Sequence, residues 1–472
     1  MKKPLLIVGA VILVAALAAV GVLLAQNLDL QAKVDELNAK VSTIEEEAVV
    51  AAVAQVVELR VLNYTDLTNP NAEAGLARWD AFAAEHPEIN IIREDLFNEP
   101  FHEKTEAYAA DGNIPDVLFA WPSGRSTTLH ANGLLKNLGP LLERDGLAEL
   151  YNPVALDPAL QAGGYLAILP QGTTATNAFF VNHEVLEELG LEPAKTYSEL
   201  VAQVPVLAAA GKDTIMMANM DTWVMQSCLF SSVAGRFCGL DWEQKIHAGE
   251  AKFTDPDFVA ALNFIKQMYD DGVLAQSTIA VAYGEGTGLF ATNQAAYYID
   301  GDWRTGAFIT DSTTGEALIS PERQENFLIT VFPEIDVEGV KFNRSNSVIL
   351  GVGFAISAAL EDGSPELEAA WELVKWLSGV EVQTFVLSTG GLPSPSRLDI
   401  DYSALTLEPL QVAIANLANE YDRATVVIDG AFDGPVHGPI NDGLAAIGLG
   451  IQTPEQVAEI VQAAFEAWKA AQ

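Results

Sequence analysis

Hydrophobic and polar positions change rhythm along the chain, and each rhythm predicts a different element. From Leu5 to Ala25 the run is apolar, and no charged side chain interrupts it. A soluble core helix carries a polar face, so 1–26 reads as a secretory signal or a membrane anchor. Length favours the anchor, because a signal core runs about 7–15 residues and a spanning helix needs about 20. Small residues around Ala15 to Ala19 leave cleavage open, and no Cys follows to support a lipid-anchored form. Lys2 and Lys3 keep the N-terminus cytoplasmic, which puts the rest of the chain outside the cell membrane.

The rhythm then becomes a heptad. Leu30, Val34, Leu37, Val41, Ile44 and Ala48 are spaced 4, 3, 4, 3, 4, with charged residues around the seam. Residues 27–55 therefore read as a helical stalk, which at about 1.5 Å per residue spans about 40 Å. So short a seam permits weak self-association or a single amphipathic helix.

From Val56 onward strand and helix patterns alternate. Val57, Leu59 and Val61 alternate with Glu58 and Arg60 as a strand does. Asn71 to Glu85 is predicted as a helix with Leu76, Trp79 and Phe82 on one face, and Glu88 to Arg93 as a strand. Phe101 to Ala110 is a helix closed by Gly112, and Val117 to Ala120 a buried strand. A second block begins near Pro170, with a strand at Ala178 to Val181. Its helices are expected at Asn182–Leu189, Tyr197–Ala210, Asp255–Asp270 and Thr287–Asn293. Strands return between Asn326 and Ser357, and helices close the chain at Ser364–Leu377 and Thr453–Ala471. This repetition predicts an α/β fold with largely parallel sheets. Ligands of such sheets sit beyond the carboxyl ends of the strands, where the loops Tyr64–Asn69 and Trp121–Thr127 fall.

Charge removes whole classes of function. Lys plus Arg number 25 against 64 Asp plus Glu, a formal net charge of −39. Nucleic-acid binding needs a basic face, so no nucleic-acid partner is expected. Chemical signatures are missing as well. There is no Gly-x-Ser-x-Gly elbow and no His-Glu-x-x-His, and the six histidines show no metal spacing. Glu334, Asp336 and Glu338 hint at a calcium loop, but Ser345 stands where its bidentate Glu belongs. No cofactor, metal or catalytic residue is assigned. Cys228 and Cys238 are expected to form one disulfide in an exported protein, the alternative being two buried thiols.

What remains is a set of aromatics in loop-like places. Trp121 follows a strand end, Trp223 sits in Asp221-Thr222-Trp223, and Trp303 follows Tyr298-Ile299-Asp300-Gly301-Asp302. A sugar ring has an apolar C–H face and a rim of hydroxyls. Trp stacks on the face, while Asp, Asn, Gln and Arg satisfy the rim. Each of these tryptophans could equally pack a core. Gly301 suggests a close approach of backbone to ligand.

Those residues lie in segments that resemble a known family. Phe290-x-x-Asn293-Gln294-Ala295-Ala296-Tyr297-Tyr298-Ile299-x-Gly301-x-Trp303 is similar to a pattern of the family 1 extracellular solute-binding proteins of ABC transporters, the maltose-binding-like group. Asn293-Gln294 replaces the Gly-Lys of that pattern, and Tyr297 its Met. Ile114-Pro115-Asp116-Val117, Leu169-Pro170, Gly351 to Ser357 and Gly391 to Arg397 also resemble family segments. The resemblance implies a two-lobed periplasmic-binding-protein fold, class II-like, with hinged lobes. It places lobe one at 56–169 and 343–387, and lobe two at 170–342 and 388–472. Crossings fall near Pro170, near Val331 to Phe342 and near Ser388 to Pro393. The ligand lies between the lobes, and an ABC permease is the partner. The candidate ligand-binding residues are Trp303, Trp121, Trp223, Asp66, Asp302, Arg397 and Gln171, and the expected ligand is a sugar or oligosaccharide.

Three other readings stay open: a membrane-anchored glycoside hydrolase, a binder of a non-sugar solute, and a sensor domain. A hydrolase would need an acid pair across the cleft. The N-terminus is testable directly. N-terminal sequencing of the native protein is expected to find the apolar run retained in the membrane fraction. A start near residue 20–28 in a soluble fraction would replace the anchor with a cleaved signal.

Overall fold

The computed structural model describes residues 56–471 except Pro70, Ser123, Val154, 159–160 and 391–393, together with Lys40. The apolar N-terminal run and the heptad segment lie outside the described residues. Among the described residues, no helix is long and apolar enough to cross a membrane.

The described chain divides into two compact units, 56–59 with 78–92, and 60–77 with 93–471. In the first, Leu59, Trp79, Phe82 and Ile89 are buried, and His86 stacks on Phe82 at 4.3 Å between ring centroids. The Val57 N–H donates to the Glu88 carbonyl at 2.8 Å. Apart from the starts of the first two strands, all that follows belongs to the second unit.

Eleven strands are described: β1 Val57–Tyr64, β2 Ile89–Leu96, β3 Val117–Ala120, β4 Ile168–Ala175, β5 Ala178–Asn182, β6 Asp213–Met216, β7 Ala295–Asp300, β8 Phe327–Thr330, β9 Ser345–Ile356, β10 Ser394–Pro395 and β11 Arg423–Val426. One sheet runs β10-β4-β9-β3-β1-β2, with β11 also paired to β9. The smaller sheet runs β6-β7-β5-β8. The fold is a mixed α/β fold of two lobes, one built on each sheet.

The sheets are mixed rather than largely parallel. β1 and β3 are parallel, and the helix Ala72–Glu85, β2 and the helix Glu99–Asp111 lie between them in the chain. β9 instead runs antiparallel to both β3 and β4, with Val117 opposite Ile356 and Ile168 opposite Ala355. It enters the large sheet directly from the other lobe, and so needs no crossover helix. Gly353 faces β4 so closely that a Cβ there would overlap the Leu169 carbonyl.

β5 shows why its sequence is apolar at every position. Phe179 and Val181 enter one core of the small-sheet lobe, while Ala178 and Phe180 enter another on the opposite face. Neighbouring β7 divides Tyr297 and Tyr298 between the same two cores. A sheet covered on both faces loses the polar alternation that marks a half-exposed strand. Helices Gly434–Gly448 and Pro454–Ala471 join the first of these cores through Val436, Ile440, Val457 and Val461.

β4 stays in the large sheet as far as Ala175, so the chain changes lobe at Thr176-Asn177 rather than at Pro170. Buried hydrogen bonds fix this crossing. Asn177 donates through Nδ2 to the Cys228 carbonyl at 2.6 Å, and its Oδ1 accepts from the Phe332 N–H at 3.3 Å. The return crossing, between β8 and β9, is tied by Arg236. Its guanidinium is buried and donates to the carbonyls of Pro333, Phe332 and Ser345 at 2.7, 2.8 and 3.2 Å. Burial lowers its pKa to about 9.

The expected disulfide is absent, and the helix geometry explains why. Cys228 lies in the π-helical turn Gln226–Phe230, and Cys238 ends the helix Ser231–Cys238 that continues it. Ten residues of helix rise about 15 Å, more than twice the Cα separation a disulfide tolerates. Both cysteines are free. Cys228 instead donates its S–H to Asp300 Oδ1 at 3.6 Å. Alkylation in denaturant without reductant is therefore expected to label both thiols. Labelling that requires reductant would contradict this geometry.

Candidate ligand-binding site

One cavity of about 290 Å³ lies between the lobes, beyond the carboxyl ends of β1 and β3. Each lobe supplies an aromatic wall.

The large-sheet wall is built around Tyr64, the last residue of β1. Its ring lies 5.1 Å from those of Phe97, Phe101 and Trp121, and 5.6 Å from Phe119, onto which it stacks. Offset and edge-to-face rings at these separations hold one another in place. Burial pushes the Tyr64 phenol well above its ordinary pKa, so it stays a neutral donor. His102 packs on Trp121 at 4.9 Å. Burial first, then the nearby Arg125 charge, holds its imidazole down to about 2, so it is neutral.

The small-sheet wall hangs from Asp300, the last residue of β7. This carboxylate is fully buried, yet it accepts from Arg304 Nε at 3.0 Å, Tyr298 Oη at 2.8 Å, Tyr283 Oη at 3.2 Å and the Gly301 N–H at 2.8 Å. Arg304 lies over the Tyr283 ring at 3.7 Å. Trp303 donates through Nε1 to Tyr283 Oη at 2.6 Å. Trp223 approaches Tyr283 at 5.1 Å and Trp303 at 6.2 Å. Its Nε1 is buried without a hydrogen-bond partner. Burial drives the phenols of Tyr283 and Tyr298 well above their usual range, so both donate as neutral hydroxyls.

Five of the seven sequence candidates meet at this cavity: Trp121, Trp223, Trp303, Asp66 and Gln171. Gln171 donates its Nε2 to the Leu377 carbonyl at 2.9 Å. Asp66 Oδ1 accepts from the Thr68 N–H and hydroxyl at 2.9 and 2.6 Å. Asp302 and Arg397 are not among the residues that line it. Asp302 is buried and fastens the loop after β7 to β4, accepting from the Ala175 N–H at 2.6 Å. Burial pushes its carboxyl well above the ordinary range. Arg397 pairs with Asp399 at 2.6 Å and lies over the Tyr151 ring at 5.0 Å. The reading of Gly301 changes too. A Cβ there would overlap the ring of Trp303, so the glycine makes room for that indole rather than for a ligand.

Sequence reasoning missed Tyr64, Phe97, His102, Arg125, Tyr283 and Arg304 as lining residues. Tyr64 and Arg125 fall inside the two loops singled out at strand ends, and Arg304 adjoins Trp303. Phe97, His102 and Tyr283 carry no comparable signal. Among the described residues, no three of His, Cys, Asp and Glu are grouped as a metal site requires.

The family described as bacterial extracellular solute-binding protein matches residues 77–405. It is a family of substrate-binding proteins rather than enzymes. No curated protein matches the sequence. Among solved structures, a chitin oligosaccharide binding protein superposes with a TM-score of 0.76 at 21% identity, over 88% of this chain and 99% of that one. The maltose/maltodextrin-binding domain MalE from Bdellovibrio bacteriovorus, bound to maltotriose, gives 0.65 at 19%, over 88% and 100%. The solute-binding protein RafE in complex with raffinose gives 0.66 at 15%, over 87% and 99%. At these identities the likeness is one of fold.

The Asp300 cluster makes a measurable claim. Asp300→Asn keeps the shape but leaves the buried Arg304 charge without its counter-ion, which is expected to cost about 3–5 kcal/mol. A thermal or urea melt reads this directly. A change below about 1 kcal/mol would show that Asp300 does not organise the wall.

Proposed function

This chain belongs to the bacterial extracellular solute-binding proteins, and on that premise we propose that its domain outside the cytoplasm captures a sugar between two hinged lobes and delivers it to an ABC permease. One observation carries the reading. Aromatic faces from both lobes, Trp121 on one side and Trp223 with Trp303 on the other, converge on one cavity that also holds Asp66, Asn69 and Gln171. That is the chemistry a pyranose asks for, flat apolar faces with hydrogen-bonding groups around the rim. The sugars named for the chitin-oligosaccharide, maltotriose and raffinose binders of the same fold support the same class of ligand.

On this proposal lobe one carries the large sheet and lobe two the small sheet with the helices packed on it, the chain crossing at Thr176-Asn177 and again between β8 and β9, with the N-terminal segment as the membrane tether. Ligand bridges the lobes and stabilises the joined form, because contacts to both walls exist only there. The permease reads that form. A micromolar dissociation constant corresponds to about −8 kcal/mol, which a few stacked rings and hydroxyl bonds can supply net of closure.

Trp121→Ala tests the reading. Trp121 is half-buried and packs at the edge of its cluster, so its loss is expected to weaken sugar binding by about 1–3 kcal/mol. Isothermal titration calorimetry would register this as a roughly five- to hundredfold rise in Kd. Unchanged affinity for a bound sugar would remove Trp121 from the site.

A further inference from the structure

The cavity is pinched where the lobes touch. Gly124, at φ +50°, lies so close to the Asp429 carbonyl that a Cβ there would overlap it. Beside it the Arg125 guanidinium faces Asp429 at 3.5 Å and Glu99 at 3.3 Å. Asp429 belongs to the short helix Ile428–Ala431, whose Ile428 sits in the core of the small-sheet lobe, while Arg125 follows β3 of the large sheet. At a second point Asn98 Nδ2 donates to Asp221 Oδ1 at 3.2 Å. At a third, a Cβ on Gly306 would lie 2.8 Å from the Thr389 carbonyl. Two of these pinches are backbone against backbone, so a sugar chain cannot run out through them. The cavity volume of about 290 Å³ falls at the lower limit of ligand pockets, which span about 300–1,000 Å³.

Both guanidinium groups on the lining are already paired with carboxylates. Arg304 is paired to Asp300, and Arg125 lies between Asp429 and Glu99. Asp66 accepts from Thr68 in its own turn. His102 is neutral. A ligand carboxylate or phosphate would have to displace a carboxylate from a guanidinium that is largely shielded from water. Charges taken out of water are tolerated only when matched, so an anion that finds no free cation is rejected.

Resting on the sugar reading above, we infer that this site selects a saccharide of one or two rings that carries no anionic group, and that the backbone contact of Gly124 with Asp429 is the wall that sets its length. Specificity here is negative as much as positive. The aromatic walls accept any pyranose face, while the pinches refuse a third ring and the occupied guanidinium groups refuse an anion.

Titration calorimetry of the full chain tests this against D-glucose, D-galactose, D-xylose, maltose, cellobiose and trehalose. The same measurement is made with maltohexaose, cellohexaose, xylohexaose and D-galacturonate. A neutral mono- or disaccharide is expected to bind best, with the hexasaccharides and galacturonate at least about tenfold weaker. Asp429→Ala removes one carboxylate from Arg125 and leaves the backbone pinch at Gly124 in place. It is expected to preserve the length preference and to raise galacturonate binding relative to the neutral sugar. Should that variant not fold, Asp429→Asn is expected to act in the same direction. Hexasaccharides bound as tightly as disaccharides, or galacturonate preferred, would overturn the inference and leave the sugar reading intact. A panel in which no saccharide binds would overturn both.

Discussion

Five donors converge on the buried carboxylate of Asp300: the Arg304 guanidinium, the hydroxyls of Tyr298 and Tyr283, the Gly301 N–H and the Cys228 thiol. A buried charge is tolerable only with its lone pairs satisfied, and this one is fully provided for. The rest of the small-sheet wall depends on it. Tyr283 is fixed because it donates to Asp300, and Trp303 because it donates to Tyr283. Arg304 is held by the carboxylate in the plane and by the Tyr283 ring below. The position at the end of β7 matters equally. A strand covered on both faces is rigid, so the carboxylate it carries is rigid too.

The hinge is made of different materials. Where the chain passes between lobes it is held by backbone carbonyls and single polar side chains, Asn177 at one crossing and Arg236 at the other. These fasten the strands of the crossings to a helix of the small-sheet lobe, and leave the cavity walls to meet through separate contacts. Rigid first contacts on a hinged frame are what a site needs if ligand is to be the bridge that closes it.

Much of the architecture was readable from periodicity, and its failures have physical causes. The helix Pro256–Asp270 and the helix Pro454–Ala471 each bury one face, so their patterns gave them away. The run from Trp223 to Cys238 is buried nearly all round, and a helix without a polar face leaves no 3.6-residue signal. Helix Gly434–Gly448 contains Pro439 and several glycines, so local propensity argues against it, and packing of Ile440 and Leu444 overrides that argument. In the site, tryptophans flagged themselves because a large aromatic in a loop is rarely idle. Asp302 and Arg397 stand outside the lining for the opposite reason. A charged residue beside a motif is as ready to tie one strand to another as to meet a ligand, and only the fold decides. Phe97, His102 and Tyr283 became part of the cavity through tertiary placement alone.

The chain's net charge of −39 bears on events before any contact. Such a surface carries a negative potential that reaches about 8 Å into physiological salt. An anionic solute loses ground crossing that layer, because a like-charged field lowers its local concentration at the cavity mouth. A neutral solute crosses it unaided and unhindered, arriving at the rate that diffusion and orientation set, with no steering to add. The surface thus sorts solutes by approach rate before any of them meets the lining. Dissolved salt tunes this filter and leaves the Asp300–Arg304 pair behind the cavity out of its reach.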